Sequence, residues 1–309
     1  MEYSVGVDIG GTKIAIGIVE SSGELLESMS FPTKSVFDPD QAVERIAFEI
    51  KRLITENMLD MHQIIGIGMG APGPLNAKEG EITTPPNLPW RYFPIVEKLK
   101  KHMNTPILLE NDANAAAIAE HWIGSGVGYE NFIYLTVSTG IGAGIISDGR
   151  LLIGESGNAG DVGHTVVDPA FGVCSCGQEG CLEMIASGTA IAKYGSQVMG
   201  RSLSTEDVFH LYHAGEERII KLLNVIIQRL GAGCVTLINS LDPEAIVLGG
   251  GVANSGEHLL NTLQEYISKY ALNPKGREVR IIPAELNQNQ GVVGAAALMF
   301  DRTNNKMFN

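Results

Sequence analysis

The sequence has few basic side chains. It carries 22 lysines and arginines against 35 aspartates and glutamates, so its formal net charge is 22 minus 35, or −13. This acidic balance argues against a surface that neutralises nucleic-acid phosphates or docks on anionic lipid. We therefore expect no nucleic-acid partner, and an anionic substrate would need a local cradle.

Long apolar runs are also missing. No uninterrupted apolar stretch reaches the roughly 18 residues that span a bilayer, and the first strand-like run begins at Tyr3 without a basic and apolar leader before it. The sequence thus predicts a cytoplasmic protein with no membrane part. A chain of 309 residues with 44% hydrophobic side chains favours two domains, because single cores stop growing at roughly 250 to 300 residues.

Cysteine is scarce and unevenly placed. Cys174, Cys176 and Cys181 crowd together, whereas Cys234 lies far away in a helix-like segment. In a reducing compartment such crowding favours a metal over a disulfide. With His164, one imidazole and three thiolates complete a closed tetrahedral shell, which predicts a structural Zn²⁺ ion. Free thiols or a redox pair are the alternatives.

Strand and helix signals alternate along the chain. Two β-branched runs, at 3–9 and 14–20, flank a double glycine, and Asp38 with Pro39 then predicts the start of a helix. A second strand, glycine turn and strand recur at 134–146. The recurrence predicts an α/β fold with a duplicated core, two facing turns and a cleft between two domains.

The two glycine turns predict phosphate binding. Glycines let backbone N–H groups approach a phosphate without an intervening Cβ. Thr12 and Lys13 add a hydroxyl and a cation, and Asp8 at the strand end is suited to hold water around a Mg²⁺ ion that bridges phosphates. Two ordinary hairpins are the alternative. The glycines concerned are Gly10, Gly11, Gly140 and Gly142.

A polar segment stands at a predicted strand-to-helix junction. Taken alone, this segment favours Asp112 as the cap of a helix that begins near Ala113. A cap there is compatible with base catalysis, because the positive helix end keeps Asp112 ionised and able to accept a proton from a hydroxyl. Asn111 offers both a donor and an acceptor to a polyol.

Two acidic side chains flank the cysteine cluster. Asp161 precedes His164 by three residues and Glu183 follows Cys181 by two, so a folded knuckle would bring both carboxylates near one pocket. Solvated surface charge is the alternative, and it is preferred for Glu183 taken alone. Further on, the glycines from Gly249 to Gly251 suit close packing against a flat adenine ring or a simple strand-end turn.

Together these motifs resemble the ROK family of sugar kinases, and most of all its glucokinase branch, within the actin and hexokinase superfamily. The resemblance covers nearly the whole chain, and the cysteine knuckle with its His spacing is its most specific part. The motifs that carry it are Asp8 to Lys13, Glu110 to Asn114, Thr139 to Gly144, His164 with Cys174, Cys176 and Cys181, the run Gly180 to Glu183, and Gly249 to Gly251.

The resemblance implies an ATP-dependent sugar kinase. It implies Asp112 as the general base for the sugar hydroxyl, and Asn111, His164 and Glu183 as sugar ligands, with His164 also binding zinc. Asp8 to Lys13 and Thr139 to Gly142 would be the phosphate loops, with Gly250 near adenosine. It also implies a smaller N-terminal domain, 1–112 with 290–309, and a larger C-terminal domain, 113–289, that holds the zinc knuckle.

One position departs from the family pattern. Glucose kinases of this family commonly carry Glu-x-Gly-His, whereas this chain has Asp161 three residues before His164. Because the aspartate side chain is one methylene shorter than that of glutamate, the change affects which sugar hydroxyl the carboxylate contacts. The 6-hydroxyl of glucose is the preferred acceptor; fructose, allose, N-acetylmannosamine and N-acetylglucosamine are the alternatives.

The family also contains sugar-responsive repressors with a DNA-binding domain ahead of the kinase-like fold. The first phosphate-loop strand starts at residue 3, and Asp112 with the phosphate-loop residues is intact, so we expect an enzyme. A non-catalytic sugar-binding regulator is the other alternative. A homodimer or homotetramer is expected.

Overall fold

The computed structural model describes residues 1–36, 38–286 and 290–304. The final stretch that we expected to return to the N-terminal domain, 290–309, is therefore described up to residue 304, and 305–309 lie outside the described residues.

Strands and helices alternate as the sequence predicts. The strands are β1 (Tyr3–Ile9), β2 (Lys13–Glu20), β3 (Leu25–Pro32), β4 (Ile64–Ala71), β5 (Leu75–Asn76), β6 (Glu81–Ile82), β7 (Ile107–Asn111), β8 (Phe132–Val137), β9 (Ile141–Ser147), β10 (Arg150–Leu151), β11 (Ala245–Gly249) and β12 (Arg280–Pro283). The helices are α1 (Pro39–Glu56), α2 (Ile95–Lys100), α3 (Asp112–Ile123), α4 (Leu182–Ala186), α5 (Gly188–Met199), α6 (Thr205–His213), α7 (Glu217–Leu241), α8 (Glu257–Tyr270) and α9 (Gln290–Asn304).

Helix α1 begins where its sequence signals predict. The side chain of Asp38 is the N-cap and accepts hydrogen bonds from the backbone N–H groups of Asp40 and Gln41, while Pro39 occupies the first turn, where its missing N–H is not needed. The apolar positions at helical spacing form one buried face, as predicted: Ala42, Val43, Ile46, Ala47, Ile50 and Leu53.

Two five-stranded sheets share one topology. The first has the strand order β3-β2-β1-β4-β7, and the second β10-β9-β8-β11-β12. In both, the central strand is parallel to the next two on one side, β1 with β4 and β7, and β8 with β11 and β12. The same order of chain segments in the two sheets supports the duplicated core inferred from the repeated glycine turns.

The chain forms two compact units. The first contains Met1–Gly128, Gly144–Ala159 and Glu285–Asn309, and the second contains Tyr129–Ala143 and Gly160–Ala284. These ranges differ from the predicted 1–112 with 290–309 and 113–289, because α3 packs against α9 and β10 and is grouped with them in the first unit.

Helix α9 lies directly on the first sheet. It packs against β1 and β4, and a Cβ added at Gly6 or Gly68 would collide with the backbone of Val292 or Ala295. Glycine at these strand positions therefore permits the close approach that attaches the C-terminal helix to the first unit.

In the described part of the chain, one helix, α7, has the length and apolar composition of a membrane span. It packs against α4, α5, α6 and α8 in the second unit. Its Arg229 forms an ion pair with Asp168, with 2.8 Å between Nε and Oδ2. A helix in a protein core can have the same length and apolar composition. The contacts of α7 with four other helices are those of a core helix.

Candidate functional site

The first glycine turn is a tight connection between β1 and β2. The backbone N–H of Gly10 donates to the carbonyl of Lys13 at 2.9 Å, and the hydroxyl of Thr33 donates to the carbonyl of Gly10 at 2.6 Å. A Cβ on Gly11 would lie 2.6 Å from the carbonyl oxygen of Asn87. The turn is therefore held on both sides, and only glycine fits at its second position.

Asp8 stands at the end of β1 beside this turn. Its partial burial raises the pKa of the carboxyl group, and the charge of Lys13 opposes that rise. The start of α9 covers Asp8, because a Cβ on Gly291 would collide with the carboxylate. An anion in this setting gains from a nearby cation, so Asp8 is chemically suited to ordering the water shell of a metal ion.

The polar corner between β7 and α3 corrects one prediction. The cap of α3 is Asn111, whose side-chain oxygen accepts hydrogen bonds from the N–H groups of Ala113 at 2.9 Å and Asn114 at 3.4 Å. Asp112 is the first helical residue, so the prediction that it is the cap was wrong. The reason is backbone geometry: residue 111 is extended, with φ −62° and ψ 142°, which is the N-cap conformation.

The corrected position still suits a base. The Oδ1 atom of Asp112 accepts a hydrogen bond from the N–H of Ala113 at 2.8 Å. The carboxylate thus lies in the first turn of α3, where the positive end of the helix favours the ionised form.

The sequence places Glu110 in the motif Glu110 to Asn114, directly before this corner, but indicated no role for it. It is 2% exposed, and its Oε1 accepts hydrogen bonds from the N–H of Asn111 at 2.8 Å and the side-chain amide of Asn114 at 2.9 Å. The sequence feature that could have indicated this contact is a glutamate at the end of a predicted strand, followed four residues later by an asparagine in the next helix.

The second glycine turn lies in the second unit and is hydrogen-bonded to α4 and α5. The N–H of Ile141 donates to Oε2 of Glu183 at 2.9 Å, and the hydroxyl of Thr189 donates to the carbonyl of Thr139 at 2.8 Å. A Cβ on Gly140 would collide with the Glu183 carboxylate. Glu183 is therefore a half-buried, hydrogen-bonded group, and the preference for solvated surface charge was wrong for it.

The four predicted metal ligands come together. Nδ1 of His164 lies 3.6 Å from Sγ of Cys174, Sγ of Cys176 lies 3.6 Å from Sγ of Cys181, and all four ligand atoms lie within 4.8 Å of one another. A tetrahedral zinc ion would separate two sulfurs by about 3.8 Å, and a sulfur from a nitrogen by about 3.6 Å. The donor set and its spacing fit such an ion.

The remaining cysteine lies apart from this cluster. Cys234 is fully buried on α7, and that burial raises the pKa of its thiol to about 12. In the cluster, by contrast, the backbone N–H of Gln178 lowers the pKa of Cys176 to about 7. Burial also raises the pKa of Cys181, within the cluster, to about 12. Position, and not the thiol pKa, therefore separates Cys234 from the three clustered cysteines.

Asp161 and His164 lie on one short turn. The backbone carbonyl of Asp161 accepts a hydrogen bond from the N–H of His164 at 3.2 Å, while the side chain of Asp161 is exposed. Helix α4, which carries Glu183 in its first turn, packs against this turn. The elements that carry the three predicted sugar ligands of the second unit thus contact each other; their shared pocket stays a prediction.

The second unit contains a cavity of about 830 Å³. The second glycine turn contributes Ser138 and Thr139 to its wall, and the segment after Gly250 contributes Gly251 and Val252. Sequence reasoning missed another part of the wall, because it comes from helix α6, which no motif marks. The residues on that part of the wall are Thr205, Glu206, Phe209, His210 and His213.

The comparisons with known proteins define the class. The sequence pattern of the ROK family matches residues 4–302, and the chain belongs to that family. The glucokinase of Halalkalibacterium halodurans is 34% identical over 320 residues, which cover 98% of this chain and 96% of that protein. The crystal structure of a ROK family glucokinase from Streptomyces griseus, in complex with glucose and AMPPNP, superposes with a TM-score of 0.79 at 30% identity, covering 96% of this chain and 98% of that one.

The fold is therefore the two-unit α/β fold of the actin and hexokinase type. The same family includes regulators: the xylose repressor of Bacillus subtilis is 30% identical over 299 residues, which cover 97% of this chain and 77% of the repressor.

Proposed function

We propose that this protein is an ATP-dependent hexose kinase that transfers the γ-phosphate of ATP to the 6-hydroxyl of glucose. The observation that carries the proposal is the corner at the start of α3, where Asn111 caps the helix and Asp112 occupies its first turn. The resemblance to glucokinases along nearly their whole length supports it.

Asp112 is the proposed general base. It takes the proton of the sugar hydroxyl as that oxygen bonds to the γ-phosphorus, while the bond from phosphorus to the oxygen bridging to the β-phosphate breaks and ADP leaves with the electron pair. The positive end of α3 keeps the carboxylate ionised before the step. Asn111 sits next to it as the proposed sugar ligand of the first unit.

The second unit supplies the other proposed sugar ligands. Asp161 and Glu183 offer carboxylates to sugar hydroxyls, and His164 offers the ring nitrogen that does not face Cys174. Asp161 influences the choice of hexose, because its side chain is one methylene shorter than the family's usual glutamate and its carboxylate extends less far from the backbone.

The nucleotide is assigned to the two glycine turns and the cavity. The first turn provides Asp8, Gly10, Gly11, Thr12 and Lys13, and the second provides Thr139, Gly140 and Gly142, with Gly250 beside the adenosine. The cavity next to Thr139 is large enough for a nucleoside, since ligand pockets commonly measure about 300–1,000 Å³. A Mg²⁺ ion, when bound, would neutralise phosphate charge, and Asp8 would hold its water.

A Zn²⁺ ion at His164, Cys174, Cys176 and Cys181 would be structural, because the four ligands leave no open coordination position. Its proposed role is to hold the segment that carries Asp161 and leads to Glu183. A cytoplasmic location and a homodimer or homotetramer belong to the same proposal.

A substrate panel tests the proposed function. Purified protein is incubated with Mg-ATP and glucose, mannose, fructose, allose, N-acetylglucosamine or N-acetylmannosamine; ADP release is measured and the product is identified by mass. We expect the highest kcat/KM with glucose. ADP release with a different hexose would redirect the substrate assignment, whereas sugar binding without any sugar phosphate would favour a non-catalytic regulator.

A further inference from the structure

Glu110 is a buried carboxylate that the proposed mechanism does not use. It is 2% exposed, and its neighbour Asn114 is 1% exposed. Burial raises the pKa of Glu110, while its hydrogen bonds from the Asn114 amide and the Asn111 N–H lower it. A carboxylate is costly to bury, so its presence here calls for a role that an apolar side chain cannot fill.

Its hydrogen bonds connect the two elements on either side of Asp112. Oε1 accepts from the backbone N–H of Asn111, the last residue of β7, at 2.8 Å, and from Nδ2 of Asn114, in the first turn of α3, at 2.9 Å. The same atom therefore fixes the residue before Asp112 and a residue two positions after it.

The Asn114 side chain depends on this contact. Its Oδ1 atom is buried and has no hydrogen-bond partner among the described residues, so its amide is oriented by the single bond from Nδ2 to Glu110. Gly144 packs against the Asn114 backbone, where a Cβ would lie 3.1 Å from its Cα. The first turn of α3 is thus held from both the strand side and the packing side.

We propose that Glu110 is a positioning residue for the reaction: it locks the corner between β7 and α3 so that the Asp112 carboxylate keeps its orientation. The proposal rests on the proposed role of Asp112 as the base. An error of about 1 Å in the position of a catalytic group can cost on the order of 100-fold in rate, so a loose corner should lower kcat more than it raises the KM for the sugar.

The test compares Glu110→Ala, Glu110→Gln and Asn114→Ala with a matched control, Glu49→Ala. Glu49 is a fully buried glutamate in the same unit, ion-paired with Arg45 at 2.7 Å and Arg52 at 3.0 Å on α1. Folding is checked by circular dichroism, and kcat and KM are measured with the best hexose at a temperature where each variant is folded.

We expect Glu110→Ala to lower kcat by about 10- to 100-fold with less than about a threefold change in KM. Glu110→Gln should recover kcat to within about fivefold of the unmodified protein, because the amide oxygen still accepts both hydrogen bonds. Asn114→Ala should lower kcat by about 3- to 10-fold and decides the question if Glu110→Ala does not fold. Glu49→Ala should lower Tm and leave kcat unchanged.

Three outcomes would overturn the proposal. The first is a normal kcat in folded Glu110→Ala, or in Asn114→Ala if Glu110→Ala does not fold. The others are a kcat loss in Glu49→Ala equal to that in Glu110→Ala, and a rise in KM without a fall in kcat in Glu110→Ala. Failure of the proposed function looks different, because Asp112→Asn would then keep its turnover or the unmodified protein would phosphorylate no sugar. In that case amide hydrogen exchange at residues 111–114, compared between Glu110→Ala and the unmodified protein, tests the locking of the corner directly: faster exchange supports it and equal exchange overturns it.

Discussion

The carboxylate of Glu183 and the backbone of Ile141 are joined by a hydrogen bond of 2.9 Å from N–H to Oε2. Gly140, the preceding residue, has no room for a Cβ because of the same carboxylate. Glu183 follows Cys181 by two residues, so the end of the cysteine cluster and the second glycine turn are connected through one side chain. A residue predicted to bind sugar thus also shapes the turn to which phosphates are assigned.

Two variants separate these roles of Glu183. Glu183→Gln keeps an oxygen for the Ile141 N–H but loses the charge, so it should raise the KM for the sugar by about ten- to a hundredfold, since a hydrogen bond to a charged group contributes roughly 1.5–3 kcal/mol. Gly140→Ala forces the turn away from the carboxylate and should raise the KM for ATP by about tenfold or more. Steady-state kinetics with each substrate varied measures both. An unchanged KM for ATP in folded Gly140→Ala would show that the turn does not bind the nucleotide.

Zinc should bind at one ion per chain. Cys176→Ser removes one of four ligands and should lose most of the metal, because the closed shell has no substitute ligand. Cys234→Ser is the matched control, since Cys234 is buried on α7 away from the cluster. Metal analysis of the purified variants compares them. Equal zinc content in the two would contradict the assignment.

Asp161 should influence the choice of sugar. Asp161→Ala should lower kcat/KM for glucose by about ten- to a hundredfold if its carboxylate accepts a sugar hydroxyl, and should affect an analogue without that hydroxyl less. Asp161→Glu adds one methylene and should shift the preference among glucose, mannose and their N-acetylamino forms. Kinetics on the same panel measure this, and unchanged values for both variants would place Asp161 outside the pocket.

The partly buried carboxyl group of Asp8 should make stability depend on pH. Its folded-state pKa lies above the ordinary value of 3.8, so the folded protein holds this proton more tightly than the unfolded chain does. The stability from this group is complete below pH 3.8 and is lost as pH rises through the raised folded-state pKa.

Asp8→Asn removes that loss. Without nucleotide or Mg²⁺, this variant should be more stable than the unmodified protein at pH 7. The difference in stability between the two proteins should shrink as pH falls towards 4. Thermal unfolding across this pH range measures it. A variant that is less stable at pH 7, or a difference that does not change with pH, would contradict the electrostatic account of Asp8.

The sequence predicted the elements well where local chemistry decides them. Asp38 followed by Pro39 marks a helix start. The spacing of three cysteines and a histidine likewise predicts the close cluster that these four side chains form. The α3 cap was mistaken because Asn111 and Asp112 both have side chains that cap helices, and the backbone angles at residue 111 decide between them.

Other features depend on packing that is distant along the chain. No role was predicted for Glu110 because a charged residue at a strand end usually faces solvent, and only the fold shows it buried beside Asn114. The part of the cavity wall formed by Phe209 and His210 was missed because nothing in that segment indicates that α6 lines the same cavity as Thr139.

The most direct test of the proposed function is Asp112→Asn. The amide keeps the size of the side chain and an oxygen for the Ala113 N–H, but cannot accept the hydroxyl proton. Glucose binding is measured by calorimetry and turnover by mass detection of the sugar phosphate. We predict glucose affinity within about threefold of the unmodified protein and turnover lower by at least about 10²- to 10⁴-fold; near-normal turnover in this variant would remove Asp112 from the mechanism.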